Sequence, residues 1–153
     1  HEYGIIIYAH SSEYAFVSDY IMRNTSDSAI CINAFRTVTI TGNIIYGGHA
    51  DFSVESRQTA VLGNFVENSS PGLYLNDLPK SGVVSVTITG NSLRDCGPAF
   101  VIHNVTQVNI ANNTIAGTKG LPALNASATD DSFTIVNNQF LTGISHLKST
   151  KVS

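Results

Sequence analysis

The fold of this chain is decided by a short string that occurs twice and recurs in weaker form. Residues 38–45 read VTITGNII and residues 86–93 read VTITGNSL. Residues 60–66, 108–115 and 133–140 keep the same order: β-prone residues, then Asn, then an apolar side chain two positions later. The Asn residues of these copies, called the anchors, are Asn43, Asn64, Asn91, Asn113 and Asn138.

A sixth, degenerate copy is assigned to residues 16–21, with Asp19 in the anchor position. Successive anchors are then separated by 21 to 27 residues, a period typical of a solenoid. In each copy the residues three before and two after the anchor are apolar. In the sixth copy these two residues are Phe16 and Ile21. The residue four before the anchor is small or polar in each copy, so we expect it to face outward.

A second β-prone run precedes each anchor string, as in residues 29–32 and 72–75. Such units cannot bury an apolar face alone, but stacking them at about 4.8 Å pairs the backbone of each with its neighbours. We therefore predict an all-β fold, a single-stranded right-handed parallel β-helix of about six coils, over residues 1–143. Residues 144–153 are predicted to form a C-terminal tail or cap, and we expect the chain to be part of a longer protein.

Asn has two physical reasons to recur at a bend of such a coil. It tolerates left-handed backbone angles, and its amide both donates and accepts hydrogen bonds, so stacked copies can bond to one another. We therefore interpret the anchors as a structural Asn ladder.

Composition excludes several classes of function. The net charge is −3, only 12% of the residues are charged, and the basic residues form no cluster, so nucleic acid is not an expected partner. No apolar run reaches the length needed to insert into a membrane. We expect no cofactor and no metal site. Cys31 and Cys96 lie two coils apart, beyond bridging distance, so both are predicted to be free thiols.

The strings at 38–45 and 86–93 resemble the repeat of right-handed parallel β-helix proteins of the pectin-lyase-like superfamily. In style the chain is closest to a bacteriophage tailspike module. The resemblance implies that the parent is an extracellular or virion-surface homotrimer that binds or cleaves a bacterial surface polysaccharide. For a parent that cleaves it, a glycoside hydrolase or a polysaccharide lyase is expected. The alternatives are a non-catalytic structural or adhesin spacer and a pectate-lyase-like enzyme. The paired Asp residues and Gly-His-Gly motif of polygalacturonases are not matched.

Candidate site residues lie in one outward file after the first strand of each coil: Tyr8, Asn33, Glu55, Asn76, His103 and Ser127. Glu55 and Asp77 are expected about 5 to 8 Å apart, within the range of glycoside hydrolase carboxylates. The predicted catalytic residues are Glu55, Asp77 and His103. The predicted substrate-binding residues are Tyr74, Asn76, Asn33, Arg57 and Asp51.

A solvated face with incidental ion pairs is the alternative interpretation of this cluster. Glu67 and Arg94, on adjacent coils, are expected to form such a surface pair. A second outward column is more apolar and is a candidate subunit contact: Ile6, Cys31, Ser53, Tyr74, Val101 and Asn125.

Overall fold

The computed structural model describes residues 4–26, 29–48, 51–76, 84–117, 124–141 and 147–151. Regular structure in these ranges consists of strands that pair in parallel in two sheets. The large sheet contains β1 (Ile5–Ser18), β3 (Ile30–Thr41), β5 (Asp51–Leu62), β7 (Leu73–Asn76), β8 (Ser85–Thr89), β10 (Phe100–Ala111), β12 (Leu124–Val136) and β14 (Leu147–Lys151). The small sheet contains β2 (Ile21–Thr25), β4 (Ile44–Gly48), β6 (Phe65–Ser69), β9 (Ser92–Arg94), β11 (Thr114–Ala116) and β13 (Gln139–Leu141).

The predicted right-handed parallel β-helix is confirmed. The predicted number of about six coils is slightly high, because the solenoid has about four turns. The small sheet has six strands, but the first and last of them are edges with a neighbour on one side only. The four turns between them are stacked on both sides.

The interior of the solenoid is filled by the two apolar positions that flank each anchor. The residues three before the anchor and two after it are fully or almost fully buried in the four stacked turns: Ile40, Val61, Ile88, Ile110, Ile45, Val66, Leu93 and Ile115. They belong to one continuous hydrophobic cluster. The period-two alternation of the sequence therefore separates inside from outside as predicted.

The anchors form a buried hydrogen-bonded ladder through this core. Asn64 Oδ1 accepts from the backbone N–H of Asn43 at 2.9 Å and from its Nδ2 at 3.0 Å. Asn64 Nδ2 donates in turn to Asn91 Oδ1 at 3.0 Å and to the carbonyl of Ile40 at 3.0 Å. The same pattern continues through Asn113 to Asn138. The side-chain amides of the five anchors thus form one continuous hydrogen-bonded row.

The left-handed backbone angle, however, falls on the residue before each anchor and not on the anchor itself. These residues have φ between 53° and 67° and are Asp19, Gly42, Gly63, Gly90, Asn112 and Asn137. At Gly42 a Cβ would lie 2.7 Å from Asp19 Oδ1, so that exposed side chain would have to move to admit it. The reversal of the chain at this row turns the following Asn side chain into the core.

The assignment of Asp19 as the first anchor is therefore wrong by one residue. The N–H of Tyr20 donates to Asn43 Oδ1 at 3.1 Å, as the other anchors do to their neighbours, so Tyr20 holds that position. The inward residues shift accordingly: Val17 is 2% exposed, whereas the predicted Phe16 is 65% exposed. Likewise Met22 is buried and the predicted Ile21 is exposed.

The last coil is less enclosed than the others. Its two inward residues, Ile135 and Phe140, are 37% and 40% exposed. In the predicted tail, β14 pairs in parallel with the first part of β12, from Leu124 to Ala128. This strand extends the large sheet beyond the last anchor.

Replacing Asn64 with Ala tests the ladder. We expect the free energy of unfolding to fall by about 3 kcal/mol or more, because each buried partner left unpaired costs about 1–3 kcal/mol. Chemical denaturation measures this, with Asn138→Ala in the half-buried last coil as the control. A loss at Asn64 no larger than that at Asn138 would contradict the prediction.

The residues that precede the anchors and have positive φ are called the left-handed row. Two substitutions at one of them, Gly63, test this backbone assignment. A Cβ at Gly63 meets nothing within 4 Å and φ is +60°, so backbone strain alone decides the outcome. Gly63→Val should lower the free energy of unfolding by about 1–2 kcal/mol relative to Gly63→Asn, because Asn tolerates this conformation. Equal thermal or chemical stability of the two variants would refute the left-handed backbone angle assigned to residue 63.

Candidate functional site

The structure brings together part of the predicted site. The Tyr74 and His103 rings are both half-buried and meet edge to face, with centroids 5.8 Å apart and an interplanar angle of 88°. Tyr74 pairs with Val101 on one side and with the backbone of Asp51 on the other. Three of the predicted residues, Asp51, Tyr74 and His103, therefore belong to neighbouring coils of one region.

The rest of the predicted file does not stack as expected. Asn76 pairs with Ser53, two residues before Glu55, because the third and fourth coils are offset by two residues relative to the prediction. Tyr74 likewise does not pair with Ser53. Asp77 lies outside the described residues, and the structure describes only the backbone of Asn33, Glu55 and Asn76. A catalytic pair of Glu55 and Asp77 stays a prediction.

The apolar outward column is less exposed than its sequence indicates. Cys31 and Val101 are 7% and 8% exposed, so both are largely covered within the chain, while Ile6 is exposed and Tyr74 half-buried. Cys31 pairs with Ile6 on one side. The surface available for a subunit contact is correspondingly small, and the trimer stays a prediction.

A second outward surface lies on the large sheet just before each anchor. We call it the polar face, and define it by the polar residues six and four before the anchors: Thr37, Gln58, Ser85, Gln107, Thr39, Thr87, Asn109 and Thr134. In the second of these rows Ala60 lies between Thr39 and Thr87. Each of these side chains is half-buried or exposed, and none is charged. Arg57, one of the predicted substrate-binding residues, is exposed and directly precedes Gln58 at the edge of this face.

The polar face provides hydrogen-bonding groups at regular spacing along the helix axis. Thr37 Oγ1 donates to Gln58 Oε1 at 3.1 Å, which shows that side chains of adjacent coils are within bonding reach. A shallow cavity of about 290 Å³ lies further along, lined by Ser85, Val86, Gln107, Val108, Asn109 and Thr134. Hydroxyl and amide groups therefore surround a space open to solvent.

Aromatic residues continue the polar face at the first coil. Tyr14 pairs with Thr37 and Phe16 pairs with Thr39. Both rings are strongly exposed, at 71% and 65%. An exposed ring offers an apolar face against which another flat apolar surface can pack.

A second bend, at the end of each small-sheet strand, carries its own left-handed row. Its members are Asn24, Gly47, Asn68, Asp95 and Gly117. A cavity of about 340 Å³ opens there, which we call the corner groove, and it is lined by Asn24, Tyr46, Gly47, Glu67, Asn68 and Asp95.

The predicted surface pair next to this groove is confirmed. Arg94 Nη1 lies 3.5 Å from Glu67 Oε1, and the two residues pair across adjacent strands. Both cysteines are free, as predicted. Cys96 is buried at the second bend, where its Sγ donates to the carbonyls of Arg94 and Val66 at 3.3 and 3.6 Å. The thiol thus bonds to one carbonyl two residues before it and one carbonyl of the preceding coil, as the side-chain amide of Asn64 does.

In the part of the chain that the structure describes, no group of three or more His, Cys, Asp or Glu side chains is arranged to hold a metal ion. Nor do those residues include a helix with the length and hydrophobicity needed to cross a membrane.

Sequence reasoning missed the polar face because it searched the outward positions for carboxylates and imidazoles. The signal was nevertheless present in the positions four and six before each anchor, which are uncharged in every copy. The corner groove had a weaker signal. To predict the groove, one must know that Gly47 stacks between Asn24 and Asn68. That stacking follows only from the strand register.

The Glu67–Arg94 pair should contribute little to stability. The Arg94 side chain is 61% exposed, so water screens the attraction. We expect Arg94→Gln to change the free energy of unfolding by less than about 1 kcal/mol in chemical denaturation. A loss of several kcal/mol would show that this pair supports the fold.

The comparisons with known proteins agree with this geometry. A family model described as "Right handed beta helix region" matches residues 1–140. Neither the search of curated proteins nor the search of solved structures gave a significant match. The stacked parallel coils and the extent of the family match lead to one conclusion: the chain belongs to the right-handed β-helix family.

Proposed function

We propose that this β-helix module binds an uncharged polysaccharide along the polar face of its large sheet. The observation that carries the proposal is the composition of that face. Apart from Ala60, successive coils from Thr37 onward present hydroxyl or amide side chains at matching positions, and no charged side chain interrupts the two rows. The β-helix family is compatible with either a carbohydrate-recognising or a structural module.

The chemistry of these side chains suits sugar hydroxyls. A Thr or Ser hydroxyl and a Gln or Asn amide each donate and accept, as a sugar hydroxyl does, so either partner can supply the proton. Charged groups would favour an ionic polymer, and the two rows contain none. The expected ligand is therefore a neutral glycan.

The spacing of the rows suggests how the polymer lies. Adjacent coils are about 4.8 Å apart, so equivalent side chains recur at that interval along the helix axis. A polysaccharide that runs parallel to the axis meets a similar set of groups at each coil. Each hydrogen bond contributes only about 0.5–1.5 kcal/mol net, so useful affinity requires several coils acting together.

The aromatic end of the face supports the same proposal. Tyr14 and Phe16 lie in the same two rows as Thr37 and Thr39 and are exposed. The apolar face of a sugar ring can pack on such a side chain. We place the end of the bound glycan segment at these rings.

For the parent protein we propose an extracellular location and a role in recognising a surface polysaccharide. The resemblance of the repeat to tailspike and pectin-lyase-like β-helices supports this part of the proposal. Whether the parent also cleaves the glycan depends on Glu55, Asp77 and His103 and is not needed for binding.

The double variant Gln107→Ala, Asn109→Ala tests the binding face. Loss of two side chains that hydrogen-bond the glycan should weaken affinity about tenfold or more, since each bond contributes about 0.5–1.5 kcal/mol. The measurement is titration calorimetry with a polysaccharide selected from a broad panel of neutral and charged glycans.

The control is Thr114→Ala, Gln139→Ala, which removes similar groups from the outward side of the small sheet. This control should bind as the unchanged chain does. Equal weakening of both variants, or binding to charged glycans alone, would contradict the proposal. A chain that binds no glycan of the panel would favour a structural spacer.

A further inference from the structure

The corner groove exists because one side chain is missing from a row. Asn24, Gly47 and Asn68 occupy equivalent positions on three successive coils and all have positive φ. Gly47 has no side chain between the two Asn residues, so its backbone lines the groove and the Asn24 side chain occupies part of the space above it. The Oδ1 of Asn24 lies 2.8 Å from the place where a Cβ on Gly47 would sit.

One wall of the groove is the ring of Tyr46, which contacts two neighbouring side chains. The guanidinium of Arg23 lies 4.8 Å from the centroid of the Tyr46 ring. The Phe65 ring packs against Tyr46 with centroids 5.8 Å apart and an interplanar angle of 59°. The part of the Tyr46 ring that lines the groove is an apolar surface of the kind that accepts a methyl group or the face of a ring.

The other residues that line the groove are rich in hydrogen-bond acceptors. Glu67 and Asp95 contribute carboxylates, while Asn24 and Asn68 contribute amides that both donate and accept. Glu67 is already paired with Arg94. The two arginines beside the groove balance the two carboxylates in formal charge, so the site favours no net charge on its ligand.

From this combination we infer that the corner groove binds an N-acetylated hexosamine unit of a glycan. The ligand's N–H and hydroxyl groups donate to the carboxylates, its acetyl oxygen accepts from an Asn amide, and its methyl packs against Tyr46. A cavity of about 340 Å³ is near the lower end of the range for small-molecule sites, which suits one sugar ring. The site is on a different face from the polar face and does not depend on binding there.

The substitution that tests the groove is Asn68→Gly. Gly removes the amide while accepting the left-handed angle of φ 55°, so the fold should be retained. The matched control is Asn112→Gly, which makes the same change at an exposed residue with φ 56° in the other left-handed row, away from the groove.

The probes are triacetylchitotriose, N-acetylgalactosamine and cellotriose, added to isotope-labelled protein and followed by NMR. Cellotriose has the backbone of the chitotriose without its acetamido groups. We expect at least one N-acetylated probe to shift the backbone amide signals of Gly47 and Asn68. Its affinity should fall at least fivefold in Asn68→Gly, remain unchanged in Asn112→Gly, and exceed that of cellotriose at least tenfold.

Two results would overturn the inference. If neither N-acetylated probe binds at the groove, or if both variants lose affinity equally, the groove is not a sugar site. If cellotriose binds as tightly as the chitotriose, the acetamido group is not what the groove recognises. Loss of polysaccharide binding to the polar face, with the groove still binding its probe, would contradict the proposed function and leave this inference standing.

Discussion

The buried ladder of Asn side chains is the constraint on which the rest of this structure depends. An amide in an apolar core is costly unless its donors and acceptors are all paired. Each interior anchor meets this condition only when an anchor of the next coil lies directly beside it. A slip of one residue would leave the amides unpaired and turn the apolar side chains outward. The ladder therefore fixes the register of every coil in a way that hydrophobic contacts alone do not.

The functional surfaces follow from that register. Once the residues three before and two after the anchors are inside, those four and six before them must face solvent. Their composition, uncharged and mostly hydroxyl or amide, is the basis of the proposal that the large sheet binds a neutral glycan. The corner groove has the same origin, because stacking places Gly47 between two Asn residues. Neither surface corresponds to a continuous segment of the sequence.

Much of the fold could be predicted from the sequence because each coil repeats the same solution to the same packing problem. The error at Asp19 arose where the pattern is ambiguous. Phe16 and Val17 are both apolar, as are Ile21 and Met22, so hydrophobicity alone cannot place the first coil. Only the burial of Val17 and Met22 and the bond from Tyr20 to Asn43 decide it.

The candidate site was harder to predict for a physical reason. Glu55 lies before the longest interval between anchors and Asn76 lies within it, and the strands that contain them pair two residues away from the predicted register. An irregularity of this kind changes which outward residues are neighbours but leaves the apolar alternation intact. The repeat therefore predicts the interior well and the outer surface near a long interval poorly. The polar face lies next to the anchors, where the register does not drift.

Hydrogen exchange of the Asn side-chain amides is the most direct test of the ladder. NMR can follow these Nδ2 protons individually in a chain of 16.3 kDa. We expect those of Asn43, Asn64, Asn91 and Asn113 to exchange only when the whole solenoid unfolds, because each is buried and bonded to the next anchor. The exposed Asn112 should exchange quickly. Rapid exchange at the four interior anchors would contradict the claim that they hold the coils in register.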